Sequence, residues 1–237
     1  MQVEQYKAIK IKELENLVPT KAGATYSQLW QIFYYTRMFK YMSYRNFTQL
    51  KTSYNKICTY DKLHTLCELG YFKSPQRAVY CATNKVLPIL EEVGYPIELL
   101  PAEATGFGDI NELKNTDAFV KTFKLPYFKM LLFPRFNNLI PDALVVQLDE
   151  DSRKYKLTFL EIEATKSKWD EYLLDKRDKY VKLSKELTFY NTWKDIAPKL
   201  GIPIPNITDF KFSVLFVCSI QKNFGKGFKF VSDISNV

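Results

Sequence analysis

Two runs dense in branched and aromatic residues, Ile140–Leu148 (IPDALVVQL) and Tyr155–Ala164 (YKLTFLEIEA), flank the polar stretch DEDSRK. Such a pairing of apolar runs across a short charged turn predicts a β-hairpin. A long amphipathic stretch follows from about Lys168 to Trp193, and then FKFSVLFVCS, which reads as a buried strand. A strand apolar at nearly every position must be covered on both faces, so the order strand, strand, helix, strand predicts an α/β second half built on a mixed sheet.

The hairpin also fixes where its acids sit. Asp142 follows Pro141 at the start of one strand, while Glu161 and Glu163 alternate on the next. With a side-chain period of two, both glutamates emerge on one face and Ile162 points the other way. Three carboxylates brought together repel one another unless a cation neutralises them, and an all-oxygen donor set suits Mg²⁺ or Mn²⁺. A metal so held suits phosphodiester hydrolysis. On spacing alone, a solvated acidic hairpin face is an equally open reading.

The first half has a different character. From Lys21 to Lys85 there are ten Lys/Arg against only Asp61 and Glu68, a net of +8, which equals the net charge of the whole 237-residue chain. The remainder is balanced. A basic module joined to a neutral one is the footprint of a phosphate-binding part, here accompanied by abundant aromatic residues. A lysine-rich solvated surface is the plainer alternative.

Periodicity orders that module. Helices are expected at Val3–Leu17 and Ser27–Met42, the latter with Leu29, Trp30, Phe33, Tyr34 and Met38 on one face. A third, capped by Ser43, runs through Leu50, and a fourth covers DKLHTLCELG with Leu63, Leu66, Cys67 and Leu69 in a stripe ended by Gly70. YFKSPQRAVYCAT then reads as two strands turning at Ser74-Pro75-Gln76, and Thr83 caps a helix to Gly94. After the first segment, helix, helix, helix, hairpin, helix is the order of a winged helix-turn-helix. In that arrangement the third helix enters the major groove and the hairpin tip follows a phosphate backbone, making Lys56, Lys62, Lys73 and Arg77 the expected DNA contacts. Winged helices also serve as protein-binding modules. The expected organisation is thus 1–97 for this domain and 98–237 for the α/β domain, with residues 98–128 as linker or opening helix.

Several classes are excluded. His64 is the only histidine, which removes HNH and HUH nucleases, HExxH proteases and Ser-His-Asp hydrolases. Cys58, Cys67, Cys81 and Cys218 lack metal-like spacing and read as reduced core residues. Gly225-Lys226-Gly227 lacks the rest of a phosphate-cradling loop. No apolar run reaches the roughly 20 residues of a membrane span, and the charged start MQVEQYKAIKIKELE is unlike a secretion signal, so a cytoplasmic protein is expected.

Pro141-Asp142, followed by Glu161-Ile162-Glu163 at a strand end, resembles the PD-(D/E)XK nuclease superfamily. More narrowly, LCELGYF, VYCATNKVLPILEEVG, IPDALV, FLEIEAT and DKRDKYVKL resemble, in order and spacing over residues 25–220, the replication-relaxation family of phage and plasmid proteins. That resemblance implies an N-terminal winged helix joined to a restriction-endonuclease-like domain, with DNA and other replication or transposition proteins as partners. It makes Asp142 and Glu161 metal-binding acids. Glu163 stands where a standard nuclease has its lysine, and the family pattern puts a lysine in the following helix one turn before a tyrosine, here Lys176 and Tyr180. Lys166 and Lys168 are nearer alternatives, and Glu103, Asp109 and Glu112 are candidates for an upstream acid. The implied activity is Mg²⁺- or Mn²⁺-dependent cleavage or nicking of DNA; the alternative is a catalytically inactive DNA-binding regulator on a nuclease-like scaffold. The endonuclease subunit of Tn7-like transposition machinery combines these folds in the reverse order.

Overall fold

A computed structural model describes residues 29–49, 60–92, 94–105, 116–121, 128–132, 136, 139–149, 154–163 and 169–234. The expected first helix, Lys56, Asp109, Glu112, Lys166, Lys168 and the side chain of Trp30 lie outside the described residues. The chain is mixed α/β and divides into two compact units, residues 1–124 and 125–237.

In the first unit, α1 (Leu29–Met38) leads through a two-residue strand, β1 (Met42–Ser43), into α2 (Tyr44–Gln49). Then come α3 (Tyr60–Glu68), the hairpin β2 (Phe72–Gln76) and β3 (Val79–Ala82), and α4 (Leu87–Glu92). The three strands form an antiparallel sheet in the order β1-β3-β2. Its core is closed by Phe33, Met42, Phe47, Leu63, Leu66 and Leu90, all with 1% exposure or less. Helix α3 ends as the sequence suggests: Gly70 takes φ +75°, and Tyr71 N–H donates to the Leu66 carbonyl at 2.9 Å, the 6→1 bond of a glycine-capped terminus.

The hairpin turns later than expected. Pro75 and Gln76 belong to β2, and the turn falls at Arg77-Ala78, where Ala78 adopts φ +61°. Proline lacks an N–H for the ladder, and the register slips by one residue between Lys73 and Gln76, a bulge that accommodates it.

Residues beyond 97 also belong to the first unit as far as Lys124. Thr116 Oγ1 donates to the Tyr41 carbonyl at 2.7 Å, Asn46 Nδ2 to Asp117 Oδ1 at 2.5 Å, and the Phe39 and Phe119 rings stack at 5.9 Å. Glu103 accepts from Asn84 N–H at 2.7 Å and pairs with the Lys73 ammonium. Arg37, 4% exposed, holds the same corner through the Ala82 carbonyl and Asn84 Oδ1.

The second unit is a five-stranded sheet in the order β4-β5-β6-β7-β8: β4 (Phe128–Leu132), β5 (Ala143–Asp149), β6 (Lys154–Ile162), β7 (Phe212–Val217) and β8 (Phe228–Val231). The first three are antiparallel, and β7 and β8 run parallel to β6, so the sheet is mixed. Strands β5, β6 and β7 match the sequence reading. β4 and β8 are additional; each is only four or five residues long and follows no recognisable hairpin turn.

The long helix expected over Lys168–Trp193 is two helices, α5 (Trp169–Lys185) and α6 (Thr188–Ile196). The break follows from helical phase. A continuous helix would keep Leu187 in line with Leu183 and turn Phe189 outward. Breaking it at 186–187 leaves Leu187 56% exposed and buries Phe189 and Trp193 to 1%. Phe189 then meets Phe159, Phe210 and Phe212 with ring centroids 4.9 to 5.3 Å apart.

Phe159 is 0% exposed at the hub of this cluster, so Phe159→Ala should cost about 3 to 5 kcal/mol in denaturant unfolding. In the first unit, the Lys73 ammonium and the Asn84 N–H hold the Glu103 carboxyl below its ordinary pKa. A depressed carboxyl adds stability above its unfolded pKa and loses it as pH falls through its folded value. Glu103→Gln should therefore lower the melting temperature near neutral pH and narrow its difference from the parent as the pH drops through the carboxylate range.

Candidate functional site

The register of β5 on β6 positions the acids. Ala143, the first residue of β5, pairs with Leu160, and Asp142 just before it donates its N–H to the Leu160 carbonyl at 3.2 Å, which brings Asp142 to the Glu161 end of β6. Asp142 Oδ2 accepts from Ile162 N–H at 2.6 Å, fixing its carboxylate across the strand end. Glu163 N–H donates to the Val217 carbonyl at 3.0 Å, so it too is held against the sheet. The expected convergence of Glu161 and Glu163 on one face is present.

Helix α5 lies over that face and supplies a matching stripe. Tyr172, Lys176 and Tyr180 recur every four residues, hence on one side of the helix. Lys176 Nζ lies 2.6 Å from Glu161 Oε2 and 4.0 Å from Glu163 Oε1. Tyr180 Oη donates to Glu161 Oε1 at 2.5 Å, and Tyr172 Oη donates to Glu163 Oε1. A two-residue repeat on the strand thus meets a four-residue repeat on the helix, and one ammonium bridges both glutamates.

Burial sharpens the electrostatics. The Glu161 side chain has no exposed surface, and the Lys176 side chain only 15%. Burial above all, with the Asp142 carboxylate adding to it, pushes the Glu161 carboxyl up to about 7 against the pull of the Lys176 ammonium and the two hydrogen bonds it accepts. Burial and the neighbouring glutamates raise both tyrosines, Tyr180 beside Glu161 and Tyr172 beside Glu163, so both remain hydrogen-bond donors at neutral pH. The environment is one in which negative charge already outweighs Lys176.

This donor set fits a hard divalent cation. Among the described residues no three His, Cys, Asp or Glu side chains cluster tightly enough to hold an ion by themselves. Mg²⁺, however, commonly takes one or two carboxylates and fills its remaining positions with water and substrate phosphate. Asp142, bonded to Ile162 N–H and near enough to raise the Glu161 carboxyl, and Glu161 itself are the pair that would hold it.

The expected DNA contacts fare unevenly. Arg77 is exposed at the hairpin turn. Lys73 has 47% of its side chain exposed and pairs with Glu103. Lys62 is 8% exposed, on the side of α3 that also buries Leu63 and Leu66, which is not the position expected of a phosphate contact. Glu103, one candidate for an upstream acid, is engaged within the first unit by Lys73 and Asn84. Cys67, Cys81 and Cys218 are free thiols, the latter two buried. No helix among the described residues is long and apolar enough to cross a membrane.

Tyr172 is a site residue that sequence reasoning misses. Its one signal is its place four residues before Lys176, on the same helix face as Tyr180. Removing Lys176 while leaving Glu161 buried is expected to be costly: Lys176→Met should destabilise the protein by about 3 kcal/mol at neutral pH, and adding Glu161→Gln should recover most of the loss. Chemical denaturation of the two single variants and the double variant measures this coupling. No family model, curated protein or solved structure matches the chain, so the geometry of these side chains is the ground for its function.

Proposed function

We propose that the protein binds DNA through a winged helix-turn-helix in its first unit and carries a PD-(D/E)XK-like, metal-dependent nuclease site in its second, as a phage or mobile-element protein would. The observation that carries this reading is the meeting of three residues: Asp142, held by Ile162 N–H at the end of β6 that carries Glu161, and Lys176, whose Nζ lies 2.6 Å from Glu161. A lysine carried by α5 thereby reaches the carboxylate that a strand lysine would reach, with Glu163 in the strand position. The winged-helix reading is supported by the element order and by the β1-β3-β2 sheet, in which a short strand between two helices joins the hairpin.

The roles follow from the side-chain geometry. A Mg²⁺ or Mn²⁺ ion, when bound, would supply Lewis-acid chemistry to a phosphodiester. Asp142 and Glu161 would hold it; Ile162 N–H keeps Asp142 in place and Tyr180 fixes the Glu161 rotamer. Lys176 would steady phosphate charge or position water, and Glu163, 4.0 Å from the ammonium, would accept a proton or keep Lys176 in register. Arg77, Lys73 and Lys56 would bind the duplex and deliver it.

A second reading, a DNA-binding regulator on an inactive nuclease-like scaffold, is favoured by one specific observation. Both oxygens of Glu161 already have donors, Lys176 and Tyr180, so this carboxyl is satisfied without a metal. Cleavage of supercoiled plasmid and of branched or single-stranded DNA in Mg²⁺ or Mn²⁺, with calorimetric titration of the metal, separates the two. Under the nuclease reading, wild type binds metal and cuts, whereas Asp142→Asn loses both yet keeps its DNA affinity. Wild type that binds neither metal nor cuts any of these substrates would leave the scaffold reading. In either case, replacing Lys56, Lys73 and Arg77 with alanine should weaken duplex binding and flatten its salt dependence by about 0.9 for each phosphate no longer neutralised; unchanged binding would remove this surface from the interface.

A further inference from the structure

Away from the acid cluster, the second unit has an open cleft at the α5–α6 corner that the proposed nuclease chemistry does not use. Phe189 forms its floor at 1% exposure, and the half-buried rings of Tyr190 and Phe210 form its walls. Their centroids are 5.1 Å apart at 67°, and Tyr190 Oη donates to the Pro205 carbonyl at 3.2 Å, which fixes that ring. The rim is charged. Lys211 and Glu186, both exposed, line it, and Lys194 Nζ lies 5.9 Å from the Tyr190 ring centroid. The cavity is about 170 Å³. A cavity of about 150 Å³ is enough to take one benzene ring, so the room here is that of a single six-membered ring.

We propose that this cleft seats one unpaired pyrimidine base of a single-stranded DNA segment, with the adjoining phosphate on Lys211. Three features select that occupant. Aromatic walls favour a flat π-face over an aliphatic chain, and stacking on such walls tolerates any base. Two lysines beside the rings supply the counter-charge a backbone phosphate needs, which a purely apolar ligand would not use. The Glu186 carboxylate at the rim, 3.7 Å from Lys182 Nζ, can accept from the N3–H of thymine or the amino group of cytosine. The cleft lies near Phe212, whose strand partner is Leu157, four residues before Glu161 on β6. That separation is roughly 13 Å along the strand, so a strand seated here is held apart from the acids and needs no metal.

The test uses the full chain without divalent metal, which keeps it independent of cleavage. An oligothymidylate carrying one 5-iodouracil is crosslinked by near-ultraviolet light and the adduct located by mass spectrometry. An adduct on Tyr190 or Phe210 is expected. Tyr190→Leu should weaken oligothymidylate binding about tenfold, and Lys211→Glu, at an exposed position that leaves the core intact, should weaken it and flatten the salt slope by about 0.7. Duplex affinity should change less than twofold in both. Adducts confined to other residues, or unchanged oligothymidylate affinity in Lys211→Glu, would overturn the proposal. Thymidine monophosphate that blocks the crosslink at the same concentration as unlabelled oligothymidylate would assign the cleft to free nucleotides and overturn the strand.

Discussion

A carboxylate with no exposed surface is the constraint around which the second unit is arranged. Glu161 sits on the middle one of five strands, paired with Phe216 of the next, where an unpaired charge would cost several kcal/mol. The answer is local and complete: an ammonium on one oxygen and a phenol on the other, both from α5. Placing those two donors dictates how α5 lies on the sheet. Its apolar residues follow, with Leu173 and Leu183 buried on the same side as Tyr180. The aromatic cluster of Phe159, Phe189 and Phe212 then fills the space below the polar one, so charge pairing sets the helix position and ring packing closes it.

How much of this is legible in the sequence depends on whether a signal is periodic or tertiary. The alternation of Glu161 and Glu163 around Ile162 is readable because strand geometry alone puts them on one face. The hairpin of β5 and β6 is readable for the same reason. Helices α5 and α6 look continuous because the residues at the break, Glu186 and Leu187, are ordinary helix formers; only the need to bury both Phe189 and Trp193 separates them. The late turn at Arg77-Ala78 is hidden because Pro75 is a strong turn residue in isolation, whereas here it occupies a bulge. Lys62 misleads because charge argues for solvent, while its position one residue before Leu63 and four before Leu66 argues for the inner face. The resemblance to the nuclease family singles out Lys176 but not Tyr172, whose one mark is its place four residues before Lys176 on the same helix face.

In the first unit the basic residues are partly engaged by the fold itself. Arg37 bonds internally, to the Ala82 carbonyl and Asn84, and Lys73 is drawn to Glu103. The segment beyond residue 97 therefore closes the charge pattern of the sheet as well as its apolar core. Net charge counted along the chain overstates what a phosphate backbone would meet. Arg77 at the tip of the hairpin is the described residue whose position best matches the expected role, and its placement depends on the left-handed Ala78 that turns the chain beside it.

Glu163 looks at first like a defect, an acid where a nuclease would have its lysine. Its surroundings give it a different meaning. Lys176 lies between two glutamates, 2.6 Å from one and 4.0 Å from the other, and Tyr172 holds the farther one in place. An ammonium that gave up Glu161 would therefore still have a counter-charge within one small side-chain adjustment, rather than being left buried and unpaired. With a lysine at position 163, two like charges would crowd the same few ångströms and the helix-borne ammonium would have no second partner. On the proposed nuclease reading, the acid at 163 and the lysine at 176 would be one exchange; in the fold itself Lys176 is set between Glu161 and Glu163, and Tyr172 holds the farther of the two.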